Sequence, residues 1–523
     1  MKFTTIFGLI GLFGLFSFSV NAQDASIKVS GTVFHDTNNN GVFDTSEEGI
    51  SGIMISNQKD VTLSDSEGAY TLSLSPGQSL MVVKPSGYNV PLDEFNIPQF
   101  SHAYAPEGSP DSLSFGGLPA TNDFPSTVNF PLTKAEDEST FNALAFGDPQ
   151  PRNDQELDYV RDEFVNQAAG EDADFMMILG DIMYNDLSLF DRHKELMAQT
   201  DIPIWHVIGN HDLNFDTDDN TNARDTYKRQ LGANYYAFQY GKVTFIALDN
   251  IDYQGEGNRP SYIGNIWGDQ LTWLENLLPN IPEDHLIVLG THIPIYSWGG
   301  ETPNVNTLNR ESLFELLEDR ERVLSLAGHL HMTYHHFLDE KAGWTNDGTF
   351  HHLITTAVSG TWWGGPKDEH NVPITTQRDG NPNGYHRFTF KNNEYEEQLI
   401  GLNEDEDTQL RIETPMHDVT AADSLQELVV NVFNGNMYNK VWYRVNNSDW
   451  TAMRQENRPS PYYKYLLAEF SGDWNSSLSA IPTNHIWVAD LSDLPNSDLY
   501  RFEVKTTDIY GKEWRITKVI EIK

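Results

Sequence analysis

Two histidines with one residue between them, His329 and His331, follow the apolar run Val323 to Ala327 in the stretch Leu326-Ala327-Gly328-His329-Leu330-His331. Imidazole is the commonest metal-ligating side chain, and residues two apart on an extended segment share a face. A strand ending here would deliver both rings to one side. Two histidines on a solvated strand face are also common, so the pair needs support from elsewhere in the chain. Four further clusters supply it: Gly147-Asp148-Pro149-Gln150, Gly180-Asp181, Gly209-Asn210-His211-Asp212 and Gly290-Thr291-His292. Together they offer carboxylate, amide and imidazole donors. The chain has no cysteine, which excludes thiolate ligands, a nucleophilic Cys, disulfides and the acylated Cys of a lipoprotein. Mixed oxygen and imidazole ligation suits Mn²⁺, Fe or Zn²⁺.

Each cluster closes an apolar, strand-like run: Leu144-Ala145-Phe146, Met176 to Leu179, Val207-Ile208, Val288-Leu289 and Val323 to Ala327. In open α/β sheets, sites lie outside the carboxyl ends of strands, so five such ends could converge on one crevice. The glycine before each polar residue permits a sharp turn and close backbone approach. Asn153-Asp154-Gln155-Glu156 resembles a capping box, and Leu157, Val160, Phe164 and Ala168 then recur at helical spacing. Leu271, Leu274 and Leu278, then Leu313, Leu316 and Leu317, suggest further helices between the runs. Strands alternating with helices predict an α/β fold. His351 and His352 are adjacent on a predicted strand and face opposite sides, so both are read as structural, as are His335 and His336. Trp362 and Trp363, between glycines, could wall a pocket or pack at a domain junction. The turn-rich loop Asp379 to Tyr385 could line the rim.

The order G-D-x-Q, G-D, G-N-H-D, H and G-H-x-H resembles the calcineurin-like metallophosphoesterase family, over residues 141 to 400. The resemblance implies two facing mixed sheets flanked by helices, a four-layer αββα sandwich. It also implies two divalent metal ions, one on Asp148, Gln150, Asp181 and His331 and the other on Asp181, Asn210, His292 and His329, with Asp181 bridging. A carboxylate suits that bridge, because two oxygens and a negative charge hold two cations close against their repulsion. Many members carry a His where this chain has Gln150, and an amide oxygen would bind more weakly than imidazole. Purple acid phosphatases, a related group, use G-D-x-x-Y, which Gly180-Asp181-Ile182-Met183-Tyr184 fits. Either Gln150 or Tyr184 could therefore complete the first site. A metal pair ~3.5 to 4 Å apart neutralises phosphoryl oxygens and activates hydroxide in line with the leaving group. His211 follows Asn210 directly and is expected to protonate the leaving alkoxide. Asp212 would orient that ring and raise its pKa, unless it bonds backbone instead. The expected activity is hydrolysis of small phosphate esters, either monoesters or a broad range of diesters. The competing class is a non-catalytic surface or glycan-binding protein with a structural metal.

The formal charge of −42 with no basic run argues against nucleic acid or an anionic membrane as a main partner. An anionic substrate stays compatible, since distant charges fade within ~8 Å at physiological salt. Met1-Lys2, the apolar run Ile6 to Val20 and the small-residue pattern Val20-Asn21-Ala22 predict a signal peptide over residues 1–22. Cleavage near Ala22 would yield a secreted or periplasmic protein. No other segment approaches the ~20 apolar residues of a membrane span. Residues 24–133 alternate as in a small β-sandwich. Between its first strands, Asp36, Asn38, Asn40, Asp44 and Glu47, with Gly41, fall at EF-hand loop spacings. No helical pattern flanks them, so the segment looks like the calcium loop of prealbumin-like domains on bacterial surface proteins. A polar segment, Lys134 to Ser139, opens the catalytic domain over 134–400, and alternation returns over 401–523 as a second β-sandwich-like domain. This order resembles multi-domain exported phosphoesterases of Bacteroidetes-type bacteria.

Overall fold

Along the strand Phe175–Leu179 every residue is buried, but in two different places. Phe175, Met177 and Leu179 join one hydrophobic cluster with Phe141, Ala143, Ala145, Phe238, Phe245 and Val288. Met176 and Ile178 join another with Leu157, Phe164, Phe190 and Met197. Period-two alternation with both faces apolar is what a strand covered on both sides requires. One face meets a second sheet and the other meets helices. The protein is described by a computed structural model covering residues 26–135, 138–255, 261–418, 425–474, 478–494 and 497–522. The expected signal peptide lies outside these described residues.

The first core sheet runs, in spatial order, Ile204–Val207, Phe175–Leu179, Thr140–Phe146, Gly384–Lys391 and Glu394–Gly401. Its first three strands are parallel, and the last two add antiparallel. The second is ordered Tyr236–Tyr240, Val243–Ala247, Leu286–Gly290, Arg322–Ala327, Thr349–Ile354 and Tyr334–Phe337. Its four inner strands are parallel. The two sheets meet through aromatic rings: Phe175 lies 5.4 Å from Phe238 and 5.0 Å from Phe245. Helical segments cover the outer faces. Residues 154–168 form one continuous helical run with a π-helical centre, capped by Asn153 Oδ1 accepting from the Glu156 amide at 3.1 Å. Gln270–Leu277 and Arg310–Leu316 bury Trp273, Leu274, Leu277, Leu313 and Phe314 against the second sheet. This is the four-layer αββα sandwich.

Two strand-rich units flank it. The N-terminal one has two four-stranded sheets and shares the core's larger cluster, with Phe100 against Trp205 and Tyr236 at 5.3 and 4.8 Å. The C-terminal one also has two four-stranded sheets, about Leu428, Val430, Phe502 and Val504, plus a helix Pro461–Glu469 that the sequence pattern does not announce. His335 and His351 bond each other at 2.9 Å inside the second sheet's edge, and His352 reaches Ser325 at 3.1 Å. All three serve packing.

Candidate metal centre

The parallel strands of both sheets end at one edge, and the polar clusters leave the strands there. Asp148, Gln150, Asp181, His329 and His331 all have positive φ, between 39° and 75°. Residues other than glycine seldom occupy this region, at a cost of order 1–3 kcal/mol each, and they concentrate where a site holds them in place. The expected delivery of His329 and His331 by a shared strand face is therefore corrected. The strand ends at Ala327, and left-handed turns, not the pleat, bring the two rings inward. Glycines make room: a Cβ on Gly209 would lie 1.9 Å from the Asp181 nitrogen.

Each imidazole has one nitrogen committed outward to a main-chain carbonyl. His292 Nδ1 lies 2.8 Å from Leu179 O, His329 Nε2 lies 2.8 Å from Asn304 O, and His331 Nδ1 bonds Gly360 O. A carbonyl only accepts, so those nitrogens carry the protons and the opposite ones face inward with lone pairs. There His292 Nε2 stands 3.1 Å from Asn210 Oδ1, 3.2 Å from His329 Nδ1 and 3.2 Å from Asp181 Oδ2. Asp181, His292 and His329 form a group that could hold a metal ion. Neighbouring it, His331 Nε2 is 3.5 Å from Asp148 Oδ1. Asp148 Oδ1 and Gln150 Oε1 are buried with no hydrogen-bond partner. Electron-pair donors this close require positive charge at their centre, from a proton or from a metal ion.

The titration pattern says the same. Burial pushes the Asp148 carboxyl up to about 8. Burial likewise drives His329 down to about 3 and His331 to about 4. His292 alone is raised, to about 9: burial opposes the charge, but Asp181 and Asp148 outweigh it and hold a proton on the ring. Asp181 is correspondingly lowered, burial being overcome by His292, His211 and His329. A proton gives this cluster one positive charge, and divalent cations would give it more. The donor set therefore fits the two expected ions.

Asp181 also ties in the remaining groups. Its Oδ1 accepts the His211 amide at 2.8 Å and its Oδ2 accepts Gln150 Nε2 at 2.5 Å. The His211 ring bonds through Nδ1 to Asn185 Oδ1 at 2.6 Å and stacks on Tyr184 at 4.4 Å. Asp212 does not take the orienting role expected of it. Its oxygens accept three amides, of Ile182, Met183 and Gly209, at 3.1, 2.9 and 2.9 Å, so it braces the turns after two strands. The expected rise in the His211 pKa is also corrected: burial lowers it, with Asp181 pulling the other way. Tyr184 lies against His211, whereas Gln150 turns its amide into the cluster.

Trp363 is buried with its indole N–H on Pro149 O at 2.9 Å. Trp362 is half-buried, with its ring 4.1 Å from that of His331. Asn185 and Asn304 escape sequence reading. Asn304 acts through its backbone, which any residue supplies, and nothing marks Asn185 except its place four residues after Asp181. In the N-terminal unit, the Asp36 to Glu47 loop closes on itself. Asp36 accepts the amides of Asn40 and Gly41 at 3.2 and 2.7 Å. Asn38 and Asn40 both donate to Asp44 Oδ2 at 3.0 Å, and Glu47 accepts the Thr37 and Asp44 amides at 2.8 and 3.0 Å.

Comparison with known families covers the same stretches. A family model described as calcineurin-like phosphoesterase matches residues 141–333. Models described as the N terminal and C terminal of calcineurin-like phosphoesterase match 37–119 and 352–514. The last begins inside the strand Thr349–Ile354 and so includes the antiparallel pair that completes the first core sheet. Among solved structures, the chain is similar to a dimetal phosphatase from Danio rerio, at 15% identity and TM-score 0.36, covering 50% of this chain and 96% of that one. It is also similar to a purple acid phosphatase from yellow lupin (Lupinus luteus) seeds, at 13% identity and TM-score 0.36, covering 72% of this chain and 67% of that one. A comparison with curated proteins gives no match.

Proposed function

The chain belongs to the calcineurin-like phosphoesterase family and is a phosphoric ester hydrolase; from that premise we propose that it is an exported enzyme acting on small phosphomonoesters or a broad range of phosphodiesters. The observation that carries the chemistry is the convergence of His292 Nε2, His329 Nδ1, Asn210 Oδ1 and Asp181 Oδ2, beside the unpartnered oxygens of Asp148 and Gln150. Asp148, Gln150, Asp181 and His331 would hold one divalent cation, and Asp181, Asn210, His292 and His329 the other. Bound there, two divalent cations neutralise phosphoryl charge and lower the pKa of water enough to supply a nucleophile near neutral pH.

The protein's own contribution is orientation and proton transfer. Asn185 Oδ1 accepts a hydrogen bond from His211 Nδ1–H, which leaves Nε2 as the ring's reactive nitrogen. Stacking on Tyr184 fixes the plane of the ring, and the Asp181 carboxylate fixes its backbone. Burial makes the protonated ring a stronger acid than free imidazole, so it gives its proton readily to a leaving alkoxide. A structural metal site would have no use for such a ring at its edge, which favours the enzyme over a binding protein.

The test is turnover of para-nitrophenyl phosphate, its bis-ester and phosphocholine, with added Mn²⁺ and with chelator. We expect Mn²⁺-dependent release from at least one, and rates unchanged by metal or chelator would overturn the proposal. Export is supported by the N-terminal apolar run alone; N-terminal sequencing of the expressed protein should find cleavage near Ala22. The Asp36 to Glu47 loop is a second, separate proposal, for Ca²⁺, supported by Asp36 and Glu47 being buried with Asn38, Asn40 and Asp44 bonded between them. Calorimetric titration of the full chain should show Ca²⁺ heat that Asp36→Ala removes. Absence of heat at millimolar Ca²⁺ would end that reading.

A further inference from the structure

Arg378 is a cation without a partner in a strongly acidic protein. Among the described residues every other arginine side chain donates to a protein oxygen, whereas Arg378 makes no ion pair and no side-chain hydrogen bond, and its Nε is buried. Lysine and arginine number 34 against 76 acidic residues, so a lone guanidinium does not follow from any shortage of carboxylates. The nearest in sequence, Asp379, is taken: its Oδ2 accepts the Thr333 amide at 2.7 Å and His485 Nε2 at 3.0 Å, and its Oδ1 accepts the Asn381 amide at 3.0 Å.

Its backbone is fixed beside the metal centre. The Arg378 amide donates to His331 O at 3.1 Å, and the Asp379 to Thr333 bond clamps the same two segments again. On the other side Gln377 donates to Thr356 Oγ1 and Ala357 O at 2.7 and 2.6 Å. The residues before and after Arg378 are therefore held by buried bonds, while its own head group is left over. Arg378 itself is half-buried. A half-buried guanidinium spends part of its hydration without receiving a protein acceptor in return, a cost that an incoming anion would offset.

We propose that Arg378 is a substrate-binding residue whose guanidinium takes the non-bridging phosphoryl oxygens of a phosphomonoester, which makes the dianionic monoester the preferred substrate class of this site. The planar fork matches two phosphoryl oxygens, and charge-assisted bonds of this kind are about twice as strong as neutral ones. A monoester presents three such oxygens and two negative charges. A diester presents two oxygens and one charge, and a second ester group where the monoester has an oxygen. This inference rests on the phosphoesterase reading and narrows it.

The experiment compares wild type with Arg378→Met and Arg378→Lys, all loaded with Mn²⁺. Para-nitrophenyl phosphate, bis-para-nitrophenyl phosphate and inorganic phosphate are the probes. For Arg378→Met we expect KM for the monoester to rise about ten- to a hundredfold, with the diester KM changing less than threefold. Calorimetric affinity for inorganic phosphate should fall by a similar factor, and Arg378→Lys should recover part of both. Metal content and melting temperature should stay at wild-type values. Equal losses on both esters, unchanged phosphate affinity, or a fall in metal content that accounts for the kinetics would each overturn the assignment. Failure of wild type on every phosphate ester is a different result, since it removes the phosphoesterase reading itself.

Discussion

Asp181 divides its two oxygens among several demands: the His211 amide on one, Gln150 and the His292 ring on the other. Asp181→Asn keeps the shape but removes the charge that offsets two cations, so elemental analysis should find both metals lost together. One full equivalent retained with a normal rate would contradict the bridge. Gln150 offers one neutral oxygen, and Gln150→Ala should lower occupancy of one site only, with recovery in excess Mn²⁺. His211→Asn should keep metals and fold while kcat for alkyl phosphates falls ~10²- to 10⁴-fold. Nitrophenolate departs without needing a proton, so the nitrophenyl ester should suffer least. A variant equally slow on both esters would point to positioning instead of proton transfer. Asn185→Ala, which removes the acceptor on His211 Nδ1, should show the same leaving-group dependence in weaker form.

The junctions between strands and loops set the geometry one level up. Gly209→Ala would place a methyl 1.9 Å from the Asp181 nitrogen, so the Asp181 turn must move. We expect loss of bound metal with strand content preserved by circular dichroism. Gly170→Ala, whose added carbon finds only Gln167 O at 3.5 Å, should leave metal content unchanged. The alternating apolar runs were legible because burial on both faces leaves a composition signal in strands such as Phe175–Leu179 and Leu286–Gly290. Leu271, Leu274, Leu313 and Leu316 marked their helices for a similar reason. The turns that deliver His329 and His331 were not legible, since left-handed backbone at a histidine is imposed by surrounding structure and has no periodicity. Between the two roles open to Asp212, ring orientation or backbone bonding, sequence could not decide, because adjacency to His211 says nothing about which amides its oxygens meet. Arg378 was invisible, because a missing ion pair can be seen only in three dimensions.

Across the whole molecule, several histidines away from the centre are buried and neutral. Burial lowers His193 and His352 to about 3, and His206, His336 and His351 are also well below the usual imidazole range. In the unfolded chain these rings titrate near 6.5. Between those values the unfolded state binds protons that the folded state refuses, so stability rises with pH and is lost on acidification below about 6.5. At pH 5 each such ring costs about 2 kcal/mol. Calorimetric melting should fall clearly between pH 7.5 and 5. His193→Phe, which replaces a ring whose two nitrogens have no partner, should flatten that dependence; an unchanged slope would show that ring to be uninvolved. The three inward imidazoles of the centre are protected from sequence change in another way. Their outer contacts are the carbonyls of residues 179, 304 and 360, and a carbonyl belongs to whichever amino acid occupies the position. Replacing side chains in the segment around 304 can therefore remodel the wall offered to a different ester while His329 keeps its tautomer. Removing a single residue from that segment shifts the acceptor and takes the ligand with it. For this enzyme, diversification by substitution is open around the metals, whereas diversification by changing loop length is closed.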